Sequence, residues 1–414
     1  MRYLSLFSKN WRYLTFGSLL TCLGTLGSGY FVGLFNGAIR LEFGLSHAEI
    51  GLMFSVTTVA SGPLLIWLGR KIDEVDLRYY SISLCVGFGA GCFLLASSAS
   101  MIAVGVGIFL IRLIGDWLIV HTAVTSMARH FGAQRGRAIG LGAVGYAVGP
   151  AVFPVTAVLL MDAVGWRATW TGIGGGFLVF IIPLILWLLR GEGEGHRRFL
   201  KPAANVERGG ALAGPQWSRR RVLGDIRFYL VMPVAIGLPF IVSGFFFHQV
   251  HMAEAKGWSL TWVASCFVGL AIGKMASALI AGPIIDKFGA IRMLPYYPVP
   301  MGLGLLALAA SDHPGVALAY LVGFGLSTGM WLVTVGALWA EMYGVAHLGA
   351  IRAMAQAIFV LSVAAVTVGV GWLLDLGFTF EAIALMSVGY LAVSMALAAL
   401  VARHQRHRPN RLEE

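Results

Sequence analysis

Long apolar stretches separated by short polar segments make up most of this chain. A helix needs about 20 apolar residues to cross the hydrocarbon core of a bilayer, and these stretches have roughly that length. Twelve can be recognised, at 12–36, 48–69, 79–99, 101–128, 138–161, 167–190, 227–252, 258–282, 291–311, 314–341, 349–373 and 378–402. The pattern predicts an all-α membrane protein with twelve transmembrane helices, and the even number puts both termini on one side.

Short sequence landmarks recur at a constant offset of 213 residues. The loop segment Gly69-x-x-x-Asp73 returns as Gly282-x-x-x-Asp286, and three further pairs share the offset: Gly44-Leu-Ser46 with Gly257-Trp-Ser259, Gly136 with Gly349, and Asp162 with Asp375. Such recurrence is typical of transporters built from two related halves. We predict two six-helix pseudo-repeats, arranged as an amino-terminal bundle (1–190), a basic cytoplasmic linker (191–226), a carboxyl-terminal bundle (227–402) and a cytoplasmic tail (403–414).

The composition excludes a soluble protein, because apolar residues make up 58% of the chain and charged residues only 12%, with a mean hydropathy of +0.80. The net charge of +11 would suggest a nucleic-acid partner, but 25 of the 30 Lys and Arg fall on one side of the predicted spans. This positive-inside bias predicts a bacterial inner membrane protein with cytoplasmic termini and no nucleic-acid partner. The four cysteines lack metal-type or redox spacing, and no nucleophile–base set or ATPase motif is present. We therefore expect no enzyme, cofactor or metal.

Three charged side chains lie well inside the spans, where a charge is costly and marks a functional candidate. Arg112 lies about eleven residues into its span, and Asp116 follows at i+4 on the same face. Lys274 lies in the apolar run 269–277. Each is a candidate for substrate binding or ion coupling. The alternatives are a structural Arg112–Asp116 pair and a structural pair between Lys274 and a carboxylate of another helix.

Histidines and other polar residues of the spans are further candidates. His248, His251 and Glu254 recur every three residues at the end of the stretch 227–252. Three interpretations stay open: a proton-sensing pair, a transition-metal entry site, or a polar cap on an exposed helix end. His121 carries the same ambiguity. Three further polar residues could line a central cavity: Tyr30, Asn36 and Gln249.

The twelve spans, the six-plus-six repeat and the Gly-x-x-x-Asp…Arg loops after the second and eighth spans resemble the major facilitator superfamily. The second loop copy is close to the family's signature, whereas the first has Glu74 where a basic residue is usual and Asp76 where glycine is usual. The run Gly145-x-x-x-Gly149-Pro150 resembles a motif common in antiporters of the superfamily. Glycines at this spacing let helices pack closely, and proline bends a helix. The resemblance implies the major facilitator fold and alternating access.

The same resemblance assigns gating roles to the two charged loops, through Asp73, Arg78, Asp286 and Arg292. An aspartate at a helix end can cap the positive amino terminus of another helix; the alternative is an ordinary loop aspartate that serves topology. Glu341 and Arg352 lie near the cytoplasmic ends of their spans. They could pair when the inside is closed, or form a surface ion pair of little energetic weight.

Three segments resemble the branch of oxalate/formate antiporters and monocarboxylate transporters: 40–46, 128–141 and the run Gly165-Trp-Arg-Ala-Thr. Members of that branch move small carboxylates and hold them with basic residues in the eighth and eleventh helices. Lys274 lies in the eighth predicted span, whereas Arg352 lies only at the start of the eleventh.

Inside the membrane, Arg112 and Lys274 outnumber Asp116, and this surplus of positive charge favours an anionic substrate. We predict a monomeric secondary transporter of a small organic anion such as a monocarboxylate, coupled to protons or a counter-ion and working in the lipid bilayer. One alternative is proton-driven efflux of drugs or amphiphilic metabolites. Another is a membrane scaffold or sensor that transports nothing.

Overall fold

The computed structural model describes residues 2–131, 135–190, 217–344 and 347–406. Most of the predicted linker and most of the predicted tail lie outside these ranges. The described residues are helical, with turns between the helices and no strand. They divide into two compact units, one within residues 1–207 and the other within residues 208–414.

Within its described residues, the first unit contains ten α-helices joined by short turns. They are α1 (Arg2–Gly24), α2 (Gly29–Val32), α3 (Asn36–Phe43), α4 (His47–Gly69), α5 (Leu77–Ala96), α6 (Met101–Ile111), α7 (Val120–Phe131), α8 (Arg135–Gly142), α9 (Gly145–Gly176) and α10 (Ile182–Leu188). Three 3₁₀ turns lie at Thr25–Gly27, Gly33–Phe35 and Arg70–Asp73. Two wider π-helical segments, Arg112–Ile119 and Phe177–Ile181, continue α6 and α9.

The second unit contains nine described α-helices. They are α11 (Arg219–Leu223), α12 (Ile226–Phe247), α13 (Gln249–Ala255), α14 (Leu260–Phe288), α15 (Ala290–Met293), α16 (Val299–Ala310), α17 (Gly315–Tyr343), α18 (Leu348–Asp375) and α19 (Phe380–Arg406).

Nine helices of the described chain are long and apolar enough to cross a membrane, or ten if the bent pair Asn10–Gly27 and Gly29–Phe43 counts as one span. The predicted spans 138–161 and 167–190 run together over Gly140–Leu188, interrupted by Gly165 at φ +80°. The predicted span 291–311 is broken, and only its part Val299–Ala310 is an apolar helix. The first part of this span contains prolines, which lack the N–H that helix continuation needs. The fold class is confirmed, and the number of twelve separate crossings stays a prediction.

Large apolar side chains point away from the core of both units. Ile102, Phe180 and Leu279 are 80%, 71% and 73% exposed. Soluble proteins rarely expose so large an apolar surface. The exposed apolar shell therefore agrees with helices that face lipid.

The repeated Gly-x-Ser landmark has the same local structure in both units. Gly44 and Gly257 adopt φ of +63° and +66°, a left-handed conformation that glycine tolerates best. Ser46 then caps α4 by accepting from the backbone of Glu49, and Ser259 caps α14 by accepting from Trp262. Both pairs end one helix and begin the next.

The glycines of the Gly-x-x-x-Gly-Pro run pack against α1. Gly145, Gly149 and Pro150 are all buried on α9. A Cβ atom on Gly149 would lie 3.0 Å from the Cβ of Thr25, and a side chain at Gly145 would collide with the backbone at Ser18. Small residues here allow the two helices to approach closely.

Candidate functional site

Two irregular helices meet in the middle of the first unit. The first span bends by 46° at Ser28, which has the extended angles φ −70° and ψ 154°. Beside this break, the helix with Arg112 widens into the π-helical segment Arg112–Ile119. A Cβ on Gly115 would lie 2.9 Å from the Cα of Gly27, so the two backbones touch. Widened turns and broken spans both occur often at binding sites of membrane transporters.

Arg112 occupies this junction and is only 3% exposed. Its Nη2 atom lies 3.6 Å from Oδ2 of Asp116, which is longer than a normal hydrogen bond. Its guanidinium carbon lies 3.9 Å from the ring centroid of Phe54, a cation–π distance. Among the described residues, Nε and Nη1 of Arg112 have no hydrogen-bond partner. The buried positive charge is therefore only loosely compensated.

Asp116 has two tyrosines in its electrostatic surroundings. Its side chain is 32% exposed, and Tyr30 and Tyr146 both lie near enough to interact with its charge. The Tyr30 hydroxyl also interacts with the side chains of Thr25 and Ser28 at the helix break. The structure thus groups three predicted residues, Arg112, Asp116 and Tyr30. The sequence interpretation missed Phe54 and Tyr146, which come from other helices.

His121 lies apart from this group. His121 is half-buried, with Nε2 3.4 Å from the Thr125 hydroxyl, and a Cβ on Gly69 would lie 3.4 Å from the same nitrogen. His121 therefore contacts the end of α4 where the first charged loop begins. Nine residues separate it from Arg112, which is about 13 Å along a helix. Asn36 is buried at the start of α3.

Lys274 lies in the second unit, on the side of α14 that packs against α17. Ser277 donates a hydrogen bond of 3.2 Å to the Lys274 carbonyl oxygen. A Cβ on Gly273 would lie 3.1 Å from the carbonyl oxygen of Val322, so glycine is needed for this helix contact. The Lys274 side chain is partly exposed beside the glycine contact.

The histidines near residue 250 lie in different surroundings. His248 is buried at the end of α12, with Nε2 3.0 Å from the carbonyl oxygen of Thr367, and the neighbouring Gln249 is fully buried. His251 is about one third exposed, with Nδ1 3.7 Å from Oε2 of Glu254. In the part of the chain that the structure describes, no group of three His, Cys, Asp or Glu could hold a metal ion. The metal-entry interpretation of these residues therefore has no support in the geometry.

The first charged loop is a 3₁₀ turn that ends at Asp73, whose side chain lies outside the described part. Asp76 caps α5, because its Oδ1 accepts a 2.9 Å hydrogen bond from the Arg78 N–H. Lys71 and Glu74 form a surface pair at 2.6 Å, and the hydrogen bond from Lys71 holds the pKa of the Glu74 carboxyl below its ordinary value. In the second loop, Asp286 and Arg292 are exposed.

In this structure Glu341 and Arg352 each have another partner, and their pairing when the inside is closed stays a prediction. Glu341 Oε2 accepts a 2.5 Å hydrogen bond from the backbone N–H of Ala290, directly after Gly289 at φ +85°. Arg352 donates to the carbonyl oxygen of Gly336. A glutamate cannot be matched with a backbone amide from the sequence alone, and here that amide starts the short helix α15.

The sequence interpretation missed two ion-pair clusters, one in each unit, at the end opposite the charged loop. Lys256, with a side chain only 1% exposed, lies between Asp312 and Glu381. Arg167 contacts Glu42 at 2.5 Å. The only signal in the sequence is that opposite charges lie at the ends of apolar stretches.

Known proteins resemble this chain over most of its length. The sequence profile of the Major Facilitator Superfamily matches residues 17–272. The MFS-type transporter pynF from Aspergillus niger is 19% identical over 335 residues, which cover 76% of this chain and 68% of that protein. A bacterial homologue of the human lysosomal transporter Spinster, solved inward-facing and occupied, shares the fold at 16% identity with a TM-score of 0.65, over 96% of this chain and 98% of its own.

The solved nucleoside transporter NupG shares the fold at 12% identity with a TM-score of 0.64, covering 94% of this chain and 99% of its own. Both solved structures are transporters, and the family profile spans more than half of the present chain. The chain is therefore a transporter and not an enzyme, and it belongs to the Major Facilitator Superfamily.

Proposed function

We propose that the protein moves a small organic anion, such as a monocarboxylate, by alternating access coupled to protons or a counter-ion. The observation that supports this most is the state of Arg112. It is buried, its Nη2 atom lies 3.6 Å from the carboxylate of Asp116, and two of its nitrogens have no hydrogen-bond partner among the described residues. A carboxylate that accepts from these nitrogens would supply the missing charge-assisted hydrogen bonds.

Asp116 gives this site a means of proton coupling. While Asp116 is ionised, it competes with a substrate anion for Arg112. Protonation of Asp116 would remove that competition and leave Arg112 as the local charge, so that an anion and a proton would bind together. Tyr30, at the helix break, could donate to the same anion, because it lies near enough to Asp116 to interact with its charge.

Within the second unit, Lys274 is our candidate for binding a carboxylate substrate. The sequence resemblance to oxalate/formate antiporters and monocarboxylate transporters gives a basic residue of the eighth helix this role. We propose that Asp73, Arg78, Asp286 and Arg292 gate the cytoplasmic side of an inner-membrane protein whose six-helix halves are joined by the basic linker 191–226. Glu341 would join this gate through the Ala290 amide.

Counterflow in proteoliposomes tests the assignment of Arg112. Vesicles loaded with an unlabelled monocarboxylate are diluted into the labelled compound, and exchange is followed for the parent, Arg112→Gln and Arg112→Lys. Loss of one charge-assisted hydrogen-bond partner costs about 1.5–3 kcal/mol, so the KM of Arg112→Gln should rise about tenfold to a hundredfold. Arg70→Gln removes an exposed arginine and serves as the charge-matched control. A KM that is the same in Arg112→Gln and the parent would contradict the assignment.

Efflux of amphiphilic compounds is the second candidate, and one cavity favours it. The cavity has a volume of about 500 Å³ and lies between α4 and α6. Its walls are apolar and belong to the exposed apolar shell, because Leu52, Val56 and Ile102 are 55%, 58% and 80% exposed. An amphiphilic compound would therefore reach this open groove from the lipid. Proton-driven export of a lipophilic cation, together with no exchange of any carboxylate, would favour this function.

A further inference from the structure

One arginine joins three elements at the predicted external end of the first unit. Arg167 lies two residues after the break at Gly165 and donates to Glu42 Oε1 at 2.5 Å. It also donates to the carbonyl oxygens of Ala96 at 2.6 Å and Ser98 at 2.7 Å. The start of the sixth predicted span is thereby tied to the end of α3 and to the loop between α5 and α6.

One lysine joins the corresponding elements of the second unit. Lys256 follows α13, and its Nζ donates to Asp312 Oδ1 at 2.5 Å and to the Leu308 carbonyl oxygen at 2.9 Å. It also forms an ion pair with Glu381, at the start of α19. Trp258 strengthens the same contact, because its indole N–H donates to the Asp312 carbonyl oxygen at 2.6 Å.

We call these two clusters, around Arg167 and around Lys256, ties. They connect equivalent elements of the two units, but the acidic and basic side chains have exchanged places. In each unit the connector after the first span, the loop between the third and fourth spans and the start of the sixth span are held together. In the first unit, the connector carries the acid (Glu42) and the sixth span carries the base (Arg167). In the second unit, the connector carries the base (Lys256) and the sixth span carries the acid (Glu381). The 213-residue offset pairs none of these four residues, so the same tie is built twice from different side chains.

We propose that Arg167 and Lys256 are positioning residues that keep the external end of each six-helix unit together as one body while substrate is transported. This inference rests on the proposed function for its transport part. Alternating access needs each half to move largely as a rigid body. Surface ion pairs hold elements only weakly, but the Lys256 side chain is 1% exposed and has three oxygen partners. Without its ammonium group, the carboxylates of Asp312 and Glu381 would face each other and repel.

Hydrogen–deuterium exchange combined with counterflow tests the tie in the full-length protein. In Lys256→Met, local opening should become easier, so amide exchange of residues 249–258 and 308–312 should rise about tenfold. The maximal rate of counterflow should fall while KM stays within about twofold of the parent, because no substrate contact is lost. Lys71→Met breaks an exposed pair and should leave exchange in both segments unchanged.

Variants with the charges of the tie swapped distinguish a positioning role of Lys256 from a general loss of folding. The triple variant Lys256→Glu, Glu381→Arg and Asp312→Asn copies the arrangement of the first unit, and it should restore both slow exchange and the maximal rate. Lys256→Arg should do the same and serves if the triple variant does not fold.

Three outcomes would overturn the inference. Unchanged amide hydrogen exchange in Lys256→Met would show that the tie does not hold these segments together. Faster amide exchange with a normal maximal rate of counterflow would show that the tie does not serve transport. Failure of both charge-restoring variants would also contradict it. A parent without carboxylate counterflow would instead overturn the proposed function, while the exchange data would still decide whether the tie exists.

Discussion

Removal of the Asp116 charge should make Arg112 a stronger anion site and the empty protein less stable. In Asp116→Asn, the buried guanidinium of Arg112 loses its carboxylate neighbour at 3.6 Å. The substrate anion then has no competitor. The same loss leaves a buried charge without a counter-charge, which destabilises a folded protein.

The distance between the two side chains sets the size of the effect. At 3.6 Å and an effective dielectric constant of about 20, two unit charges attract by about 4.6 kcal/mol. Asp116 is about one third exposed, so solvent screens much of this energy. A net competition of about 1–3 kcal/mol is then reasonable, which corresponds to roughly 5- to 150-fold tighter binding of an anion.

Thermal unfolding of the purified protein, titrated with acetate, pyruvate or oxalate, measures both effects. Asp116→Asn should unfold at a lower temperature than the parent without anion. It should reach half of its maximal stabilisation at a clearly lower anion concentration. Asp162→Asn removes an exposed carboxylate of the same unit and should behave as the parent. Equal or weaker anion binding by Asp116→Asn would refute competition for Arg112.

Three further predictions concern stability. Burial of Lys256 opposes its charge, but its two carboxylate partners outweigh burial and raise the pKa of its ammonium group above the ordinary value. The tie therefore stabilises the fold fully below about pH 10.4, the unfolded value, and is lost as pH rises through the raised pKa; melting temperature should fall there in the parent and less in Lys256→Met. Gly115→Ala should cost about 1–3 kcal/mol by overpacking, since its Cβ would lie 2.8 Å from an aromatic ring, whereas Gly172→Ala meets open space and should be neutral in the same unfolding assay. Ser46→Ala and Ser259→Ala should each cost about 1 kcal/mol, and a large difference between these two caps would contradict their equivalence.

Local rules predicted the parts of the structure that depend on neighbours in sequence. The repeated Gly-x-Ser landmark has the same structure in both units, because the glycine conformation and the serine cap are both local. The i+4 spacing placed Arg112 and Asp116 on one face, and the structure brings their side chains to 3.6 Å.

The remaining features depend on contacts between distant segments. No proline marks the break at Ser28 or the widened turn after Arg112 in the sequence. The two irregular segments fit together only because Gly27 and Gly115 are in contact. Lys256 attracts little attention in the sequence, since its partners lie more than 50 residues away. A pair of Glu341 with Arg352 could be suggested because opposite charges are visible in a sequence, whereas the backbone amide that donates to Glu341 in this structure is not visible there.

Gradient-driven accumulation tests most directly whether this chain is an organic-anion transporter. Proteoliposomes would be given labelled monocarboxylate under an imposed pH gradient or an outward gradient of unlabelled carboxylate, with Arg112→Gln in parallel. The parent should concentrate the label above its external level, an ionophore or loss of the counter-anion should abolish the accumulation, and Arg112→Gln should accumulate far less. No accumulation of any carboxylate under either gradient, in vesicles shown to hold the gradient, would contradict the proposal.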